Sequence, residues 1–175
     1  MKTTILATVL AFTCLPAFGD DAAVNYQKGL DAIKRNDVDA AQQAFKETLR
    51  INPNHPYARY QIGRLQQEAP MLRAKKREAE LASVRLPEVN FDEAPFADAL
   101  SALNAMIEAE SEKTLGKDKA LVPNLNVQDS TGQLGQKEVT LQLKNVPAHT
   151  VLKYMLEQVG ARVRYDEHAT VVTPN

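Results

Sequence analysis

The chain of 175 residues has no tryptophan, one cysteine and only 6% aromatic residues. The cysteine, Cys14, lies in an amino-terminal apolar run. The remainder of the chain therefore has neither a disulfide framework nor a thiol catalyst. The scarcity of aromatic rings argues against large stacking platforms for bases or sugars. The net charge of −1 does not favour nucleic-acid binding.

Sequence motifs of the common catalytic sites are also missing. The chain contains no HExxH, GxSxG, P-loop or GxGxxG pattern. The chain has three histidines, His55, His149 and His168, and their spacing matches no metal-binding motif. We interpret them as loop or capping residues. The carboxylates Asp92, Glu93 and Asp98 lie at an expected helix start, where capping and the helix dipole account for them. We predict a non-enzyme with no catalytic residues, metal site or cofactor. The alternative is a pair of carboxylates that are distant in sequence and that the fold brings together.

The first 19 residues have the pattern of a secretory signal peptide. Lys2 precedes an apolar run, Ile5–Leu15, which is too short to span a bilayer. Ala17 and Gly19 place small residues before Asp20, as a cleavage site requires. We predict cleavage near Gly19 and a periplasmic or secreted protein, and the alternative is an uncleaved anchor. No later apolar segment reaches membrane length, so the mature chain is predicted to have no transmembrane span.

The first half of the chain contains a repeat with a period of 34 residues. Tyr26 recurs as Tyr60, and Gly29 recurs as Gly63. Tetratricopeptide (TPR) repeats have this period, and residues 26–58 resemble one TPR unit. The alternative is a generic helical hairpin.

The resemblance assigns a role to each matching residue. Gly29 stands where two antiparallel helices pack closely, Ala41 faces it, and Phe45 fills the core of the pair. Asn36-Asp37 is the predicted turn between the helices, because both residues cap helices and tolerate a left-handed backbone. Pro53 follows the second helix.

The second copy of the repeat is degraded. Lys75 and Ala79 replace the equivalents of Ala41 and Phe45, and Pro70 is predicted to form the inter-helix turn. We therefore predict one full repeat and one decayed copy, with the TPR-like unit in residues 20–69. TPR arrays bind peptides or partner helices along a concave first-helix face. The residues predicted for that face are Tyr26, Lys34, Tyr57, Tyr60 and Arg64. The alternative is that they cover a neighbouring helix or the carboxy-terminal domain.

A basic segment, residues 70–85, connects the two halves of the chain. It contains a cluster of four cations, Arg73, Lys75, Lys76 and Arg77, diluted by Glu78 and Glu80. Such a cluster could contact nucleic acid or anionic lipid. We interpret it instead as the solvated face of a connecting helix.

Residues 86–175 predict a small mixed domain with the order βαββαββ, so the fold class is α+β. Strands are expected at residues 86–91, with Pro87 at a sheet edge, and at 121–127, 139–143, 161–165 and 170–173. The first helix is expected to start within Asp92–Pro95. Its apolar stripe consists of Phe96, Leu100, Leu103 and Ile107. Asn145-Val146-Pro147 is expected to break the central strand before a second helix, 151–159, which Gly160 ends.

This half resembles the secretin and TonB short N-terminal (STN) domain. The matching segments are 89–91, 95–103, 139–143, 145–147, 151–156 with Gly160, 163–165 and 170–172. The resemblance implies docking onto other proteins of the cell envelope. The chain ends at Asn175 without a barrel-forming segment, so we expect no pore and no receptor transport.

These patterns predict a non-enzymatic interaction or adaptor protein, an accessory of a secretin, pilus or outer-membrane receptor system. The expected partners are envelope proteins, because both resemblances are to protein-binding modules. An alternative is a small-molecule or glycan binder with its site between the two halves, which requires a deep pocket with convergent polar groups. A third alternative is self-assembly through sheet edges into a homo-oligomer.

Overall fold

The computed structural model describes residues 18–175, with side chains from residue 21 onward. The predicted signal peptide lies outside this range except for Phe18 and Gly19, which belong to the first helix. The α+β class and the predicted βαββαββ order are confirmed. The elements are α1 (Phe18–Lys34), α2 (Val38–Ile51), α3 (Pro56–Ser83), β1 (Arg85–Pro95), α4 (Phe96–Leu115), β2 (Leu125–Val127), β3 (Glu138–Pro147), α5 (Ala148–Val159), β4 (Ala161–Tyr165) and β5 (Thr170–Pro174).

Helices α1 and α2 form the predicted hairpin. Asn36 has a left-handed backbone with φ of 58°, which reverses the chain direction. The Asp37 carboxylate caps α2 by accepting a hydrogen bond from the Ala40 N–H at 3.3 Å. The turn predicted at these two residues is therefore confirmed.

Close packing of α1 on α2 depends on Gly29. A Cβ atom at Gly29 would lie 2.7 Å from Cδ1 and Cζ of Phe45, closer than carbon atoms approach. Phe45 and Ala41 are both fully buried. The close approach predicted between Gly29 and Phe45 is confirmed, whereas the position of Ala41 opposite Gly29 stays a prediction.

Helix α3 is one continuous helix of 28 residues, and Pro70 lies inside it. The predicted inter-helix turn at Pro70 is therefore wrong, and residues 56–83 form no second helical pair. Leu65 precedes Pro70 and Leu72 follows it, both buried in one core, while Leu81 is buried in another, so packing on both sides of Pro70 holds the helix together. Pro70 itself is exposed, and water can replace the backbone hydrogen bond that proline removes.

Two sheets flank the helices of the mixed half. Strands β1 and β3 form an antiparallel pair, and the second sheet has the order β2-β5-β4. β2 is parallel to β5, while β4 is antiparallel to β5. β1 has β3 as its one partner in the described chain, which agrees with the edge position expected for Pro87. β2 is only three residues long, shorter than the predicted 121–127.

Two chain breaks predicted in the mixed half are wrong. β1 continues through Asp92–Pro95 because a bulge lies between Phe91 and Ala94, with Glu93 at φ of 45°. Asp92 and Glu93 are therefore strand residues rather than helix caps. β3 likewise continues through Asn145-Val146-Pro147, with Asn145 at φ of 53°. The Arg85 guanidinium holds Asn145 by donating to its carbonyl at 2.6 Å and to its side-chain oxygen at 3.1 Å.

The described residues form two separate hydrophobic cores. The helical core is small and contains Ala32, Val38, Ala41, Phe45, Leu65 and Leu72. The mixed core is larger, and it includes the whole predicted stripe of α4, Phe96, Leu100, Leu103 and Ile107. Helix α3 contributes to both, with Leu65 and Leu72 in the first and Leu81 in the second.

The loop before β3 is organised by the carboxylate of Asp129. It accepts hydrogen bonds from the Thr131 N–H at 2.8 Å, the Thr131 hydroxyl at 2.6 Å and the Leu134 N–H at 2.7 Å. These bonds, the Thr131 hydroxyl first, lower the pKa of Asp129 from 3.8 to about 2. The Leu134 side chain is consequently held in the mixed core.

Replacement of Asp129 by asparagine is expected to lower the melting temperature at neutral pH. An amide nitrogen cannot accept the hydrogen bond that one carboxylate oxygen receives from the Leu134 N–H. Because the folded-state pKa of about 2 lies below the ordinary 3.8, the stabilisation is complete above pH 3.8 and is lost as pH falls through about 2. The difference between Asp129→Asn and the parent chain should therefore shrink on acidification. Thermal unfolding followed by circular dichroism between pH 7 and pH 2 tests this.

The matched control is Asp118→Asn, which alters an exposed carboxylate in the neighbouring loop. The interpretation is wrong if the Asp129→Asn deficit is the same at every pH, or if Asp118→Asn is equally damaging.

Candidate protein-docking groove

Strand β4 leaves one edge of the three-stranded sheet unpaired by any described strand. The Asn175 N–H donates to the Gly160 carbonyl at 3.2 Å, and the Asp166 N–H donates to the Ala169 carbonyl at 2.8 Å. Backbone groups alternate in direction along an antiparallel strand. The even-numbered residues of β4 therefore bond to β5. The N–H and C=O groups of Ala161, Val163 and Tyr165 point away from the sheet.

Helix α5 runs beside this edge in the opposite direction. Gly160 makes the reversal possible with a left-handed φ of 67°, and its N–H caps α5 on the Leu156 carbonyl. Between α5 and β4 lies a groove of about 300 Å³, here called the β4–α5 groove. It is lined by Glu78, His149, Leu152, Lys153, Leu156, Glu157, Ala161, Arg162, Val163 and Tyr165.

The floor of the groove is apolar and its rim is charged. Leu152 and Leu156 are buried, and Val163 is partly buried against the same core. Tyr165 is half-buried, and this burial, followed by the nearby charge of Glu78, raises the pKa of its phenol. Lys153 and Glu157 are exposed along α5, with 3.9 Å between Nζ and the carboxylate. The groove can thus take apolar side chains below and charged ones at its margin.

The outer face of β4 carries two arginines, Arg162 and Arg164. Both side chains point to solvent, because side chains alternate between the faces of a strand. Arg162 donates to the Thr173 hydroxyl at 3.2 Å, and Arg164 pairs with Asp166 at 2.9 Å. The solvent side of the open edge is therefore positively charged.

The combination of an open strand edge and an apolar floor suits one kind of ligand. Unpaired backbone groups accept an added strand, and alternate side chains of that strand enter the groove. Among the described residues no group of three or more histidine, cysteine, aspartate or glutamate side chains could hold a metal ion.

Two of the residues predicted from the TPR resemblance, Tyr26 and Tyr57, lie against the same histidine, His55. Tyr26 packs against Phe45 and His55, with ring centroids 5.6 and 4.7 Å apart, and Tyr57 meets the edge of His55 at 6.3 Å. Tyr57 and Tyr60 are exposed, each at 64%.

The two cations predicted with these aromatics have local partners. Lys34 forms an ion pair with Asp31 at 2.9 Å, and it lies two helical turns along α1 from Tyr26. Arg64 forms an ion pair with Glu68 at 3.3 Å. A binding role for the five predicted residues stays a prediction.

The cations of residues 70–85 join the two halves, so their interpretation as a solvated face is wrong. Arg73 pairs with Glu167 in the β4–β5 turn and with Asp39 of α2 at 3.0 Å. These carboxylates, through hydrogen bonds, raise the pKa of Arg73. Lys76 lies 3.4 Å from Asp37. Of the four cations Lys75 is exposed, and the other three are partly buried.

A shallow space of about 290 Å³ lies at this junction, beside Pro70 and Arg73. Five of its nine lining residues are apolar, two are the glutamines Gln42 and Gln66, and its charged members, Arg73 and Glu167, are bonded to each other. The glycan-binding alternative needs polar groups that converge on a small ligand. Arg73 and Glu167 already use their charges on each other. The described junction therefore adds no support to that alternative.

The sequence patterns did not identify the residues of the β4–α5 groove as a binding site. The usable signal was the alternation in Ala161–Tyr165, which puts arginines on one face and apolar side chains on the other. Whether that strand is central or at an edge depends on the sheet order, which the alternation does not encode.

Comparison with known proteins gave no match to a family model, to a curated protein or to a solved structure. None of the helices in residues 18–175 is both long and apolar enough to cross a membrane.

Proposed function

We propose that this chain is a secreted, non-enzymatic adaptor that binds an extended segment of an envelope protein in the β4–α5 groove. The observation that carries the proposal is the unpaired edge of β4 lying beside an apolar floor formed by α5. The TPR and STN resemblances favour the same class of function. An accessory role in a secretin, pilus or receptor system follows from the STN resemblance.

Strand addition fits the dimensions of this site. β4 offers three residues with outward backbone groups, and each hydrogen bond made there contributes about 0.5–1.5 kcal/mol. Apolar side chains placed over Leu152 and Leu156 add roughly 25 cal/mol for each Å² removed from water.

Photo-crosslinking in the native host tests the proposal. A photoreactive amino acid in place of Lys153 is expected to give a protein adduct, because this side chain is exposed on the rim of the groove. The adduct should disappear when Val163→Pro is introduced in the same chain, since proline removes an outward N–H.

The matched control places the photoreactive residue at Gln142, which is exposed on the two-stranded sheet. An adduct at Lys153 that persists with Val163→Pro would contradict docking by strand addition. An identical adduct at Gln142 would show that the capture does not depend on the groove.

A further inference from the structure

We infer that the occupant of the β4–α5 groove is an extended segment of another protein that alternates acidic and apolar residues. This inference rests on the proposed function and specifies the chemistry of the partner. Three observations carry it: the direction of the open backbone groups, the charge of the outer face, and the side chains that line the groove.

Charge on the outer face selects acidic residues in the partner. A strand added to β4 places every second side chain on the same face as Arg162 and Arg164. Asp166 pairs with Arg164, while Arg162 has no carboxylate partner among the described residues. Lys153 on the rim is balanced by Glu157 at 3.9 Å, and Glu78 also lines the groove, so the unbalanced positive charge is that of Arg162 on β4. Carboxylates opposite these positions are attracted, whereas lysine or arginine would be repelled.

The inner face selects apolar residues at the intervening positions. Side chains between the carboxylates point toward the same side as Ala161, Val163 and Tyr165. There they meet Leu152 and Leu156, which are buried, with Tyr165 at the end of the row. Apolar side chains over Leu152 and Leu156 are removed from water there, while Glu78, His149 and Tyr165 supply the polar part of the lining.

A second copy of this chain fits the site less well. Pairing β4 with another β4 about Val163 sets Arg162 opposite Arg164 in antiparallel alignment, which juxtaposes like charges. Strand β1 of a second copy has acidic residues, Glu88 and Asp92, on its exposed face. Its inward side chains Val89 and Phe91 are already buried in its own core and cannot enter the groove. A separate extended segment meets both requirements.

Binding of two designed peptides to the full mature chain tests the inference. One capped, fluorescently labelled peptide alternates valine with glutamate, and the other has lysine in place of glutamate. Fluorescence anisotropy at low ionic strength should show the glutamate peptide binding about tenfold or more tightly, because two cross-strand charge pairs change from attraction to repulsion. The preference should weaken with added salt.

Two pairs of variants locate the effect. Val163→Ala and Val163→Pro both remove the β-branched side chain, but only the second removes the outward N–H, so only the second should abolish binding. Proline is tolerated where the N–H of an edge strand faces outward, and circular dichroism verifies the fold. Arg162→Glu with Arg164→Glu should reverse the preference toward the lysine peptide. The charge-matched control is Lys28→Glu with Lys46→Glu on the exposed surface of the helical half, which should change nothing.

The possible failures are distinguishable. If both peptides bind equally and Val163→Pro still abolishes binding, strand addition stands and the acidic partner is wrong. If neither peptide binds Val163→Ala or the parent chain, both proposals fall. If sedimentation shows self-association that Val163→Pro removes, a second copy occupies the groove and the assignment to another protein is overturned.

Discussion

Replacing Phe45 by alanine is expected to lower the free energy of unfolding of the helical half by about 3–5 kcal/mol. Phe45 is fully buried, and it is the one aromatic residue among the six described residues that form the helical core. Its ring fills the space that Gly29 leaves open, so truncation creates a cavity between α1 and α2. A unit of this size has a stability of roughly 3–8 kcal/mol, estimated from 0.05–0.15 kcal/mol per residue. The substitution therefore removes most of it.

The loss should be confined to the helical half, because the two cores share no residue. Hydrogen exchange measured by mass spectrometry should show α1 and α2 losing protection while β1 and β3 keep theirs. Tyr60→Ala is the matched control, since it truncates an aromatic ring that is 64% exposed. Equal loss of protection in both halves would show that the molecule unfolds as a single unit.

Local sequence signals predicted the parts of the fold that depend on neighbouring residues. Asn36-Asp37 carries both a left-handed backbone and a helix cap, and Gly160 ends α5 in the left-handed conformation that a glycine stop requires. The Gly29–Phe45 contact was also predictable, because it recurs at a fixed spacing in the family that the hairpin resembles. In each case the residue type determines the geometry without reference to distant parts of the chain.

The wrong predictions concern residues whose local preference is overridden by distant contacts. Pro70 disfavours a helix, yet the buried Leu72 and Leu81 hold the surrounding residues in α3. Asn145 and Glu93 adopt left-handed conformations inside paired strands, where Arg85 and Thr140 respectively hold them by hydrogen bonds. Proline, asparagine and charged residues normally signal a break, so a sequence pattern could not show that these strands continue.

The candidate site was less accessible from the sequence than the fold. The groove forms because β5 pairs with β2 and β4, which leaves the outer edge of β4 beside α5. This pairing joins residues 125–127 to 170–172, more than forty positions apart. Sequence patterns located the strands but not their order, and the order decides which edge is open.

Leu81→Ala is expected to cost about 2–5 kcal/mol of stability in the mixed half. Leu81 is 1% exposed and lies in the mixed core, although its helix begins in the helical half. Removing its side chain takes away the main apolar contact between the end of α3 and the mixed domain. Glu78 lies one turn earlier and lines the β4–α5 groove, so the wall of the groove should loosen as well. Urea unfolding gives the change in stability, and hydrogen exchange in α5 and β4 gives its location.

The matched control is Leu115→Ala, which removes the same atoms from a leucine that is 56% exposed at the end of α4. A surface change of this kind should stay within about 0.5 kcal/mol. If Leu81→Ala costs no more than Leu115→Ala, α3 is not anchored in the mixed core and Arg73 would have to hold the two halves together through Glu167 and Asp39. Surface ion pairs contribute at most about 1 kcal/mol, too little to fix the orientation of a 28-residue helix. The proposed docking function needs a groove whose wall is held rigidly. A large loss of stability in Leu81→Ala is therefore the result that this proposal requires.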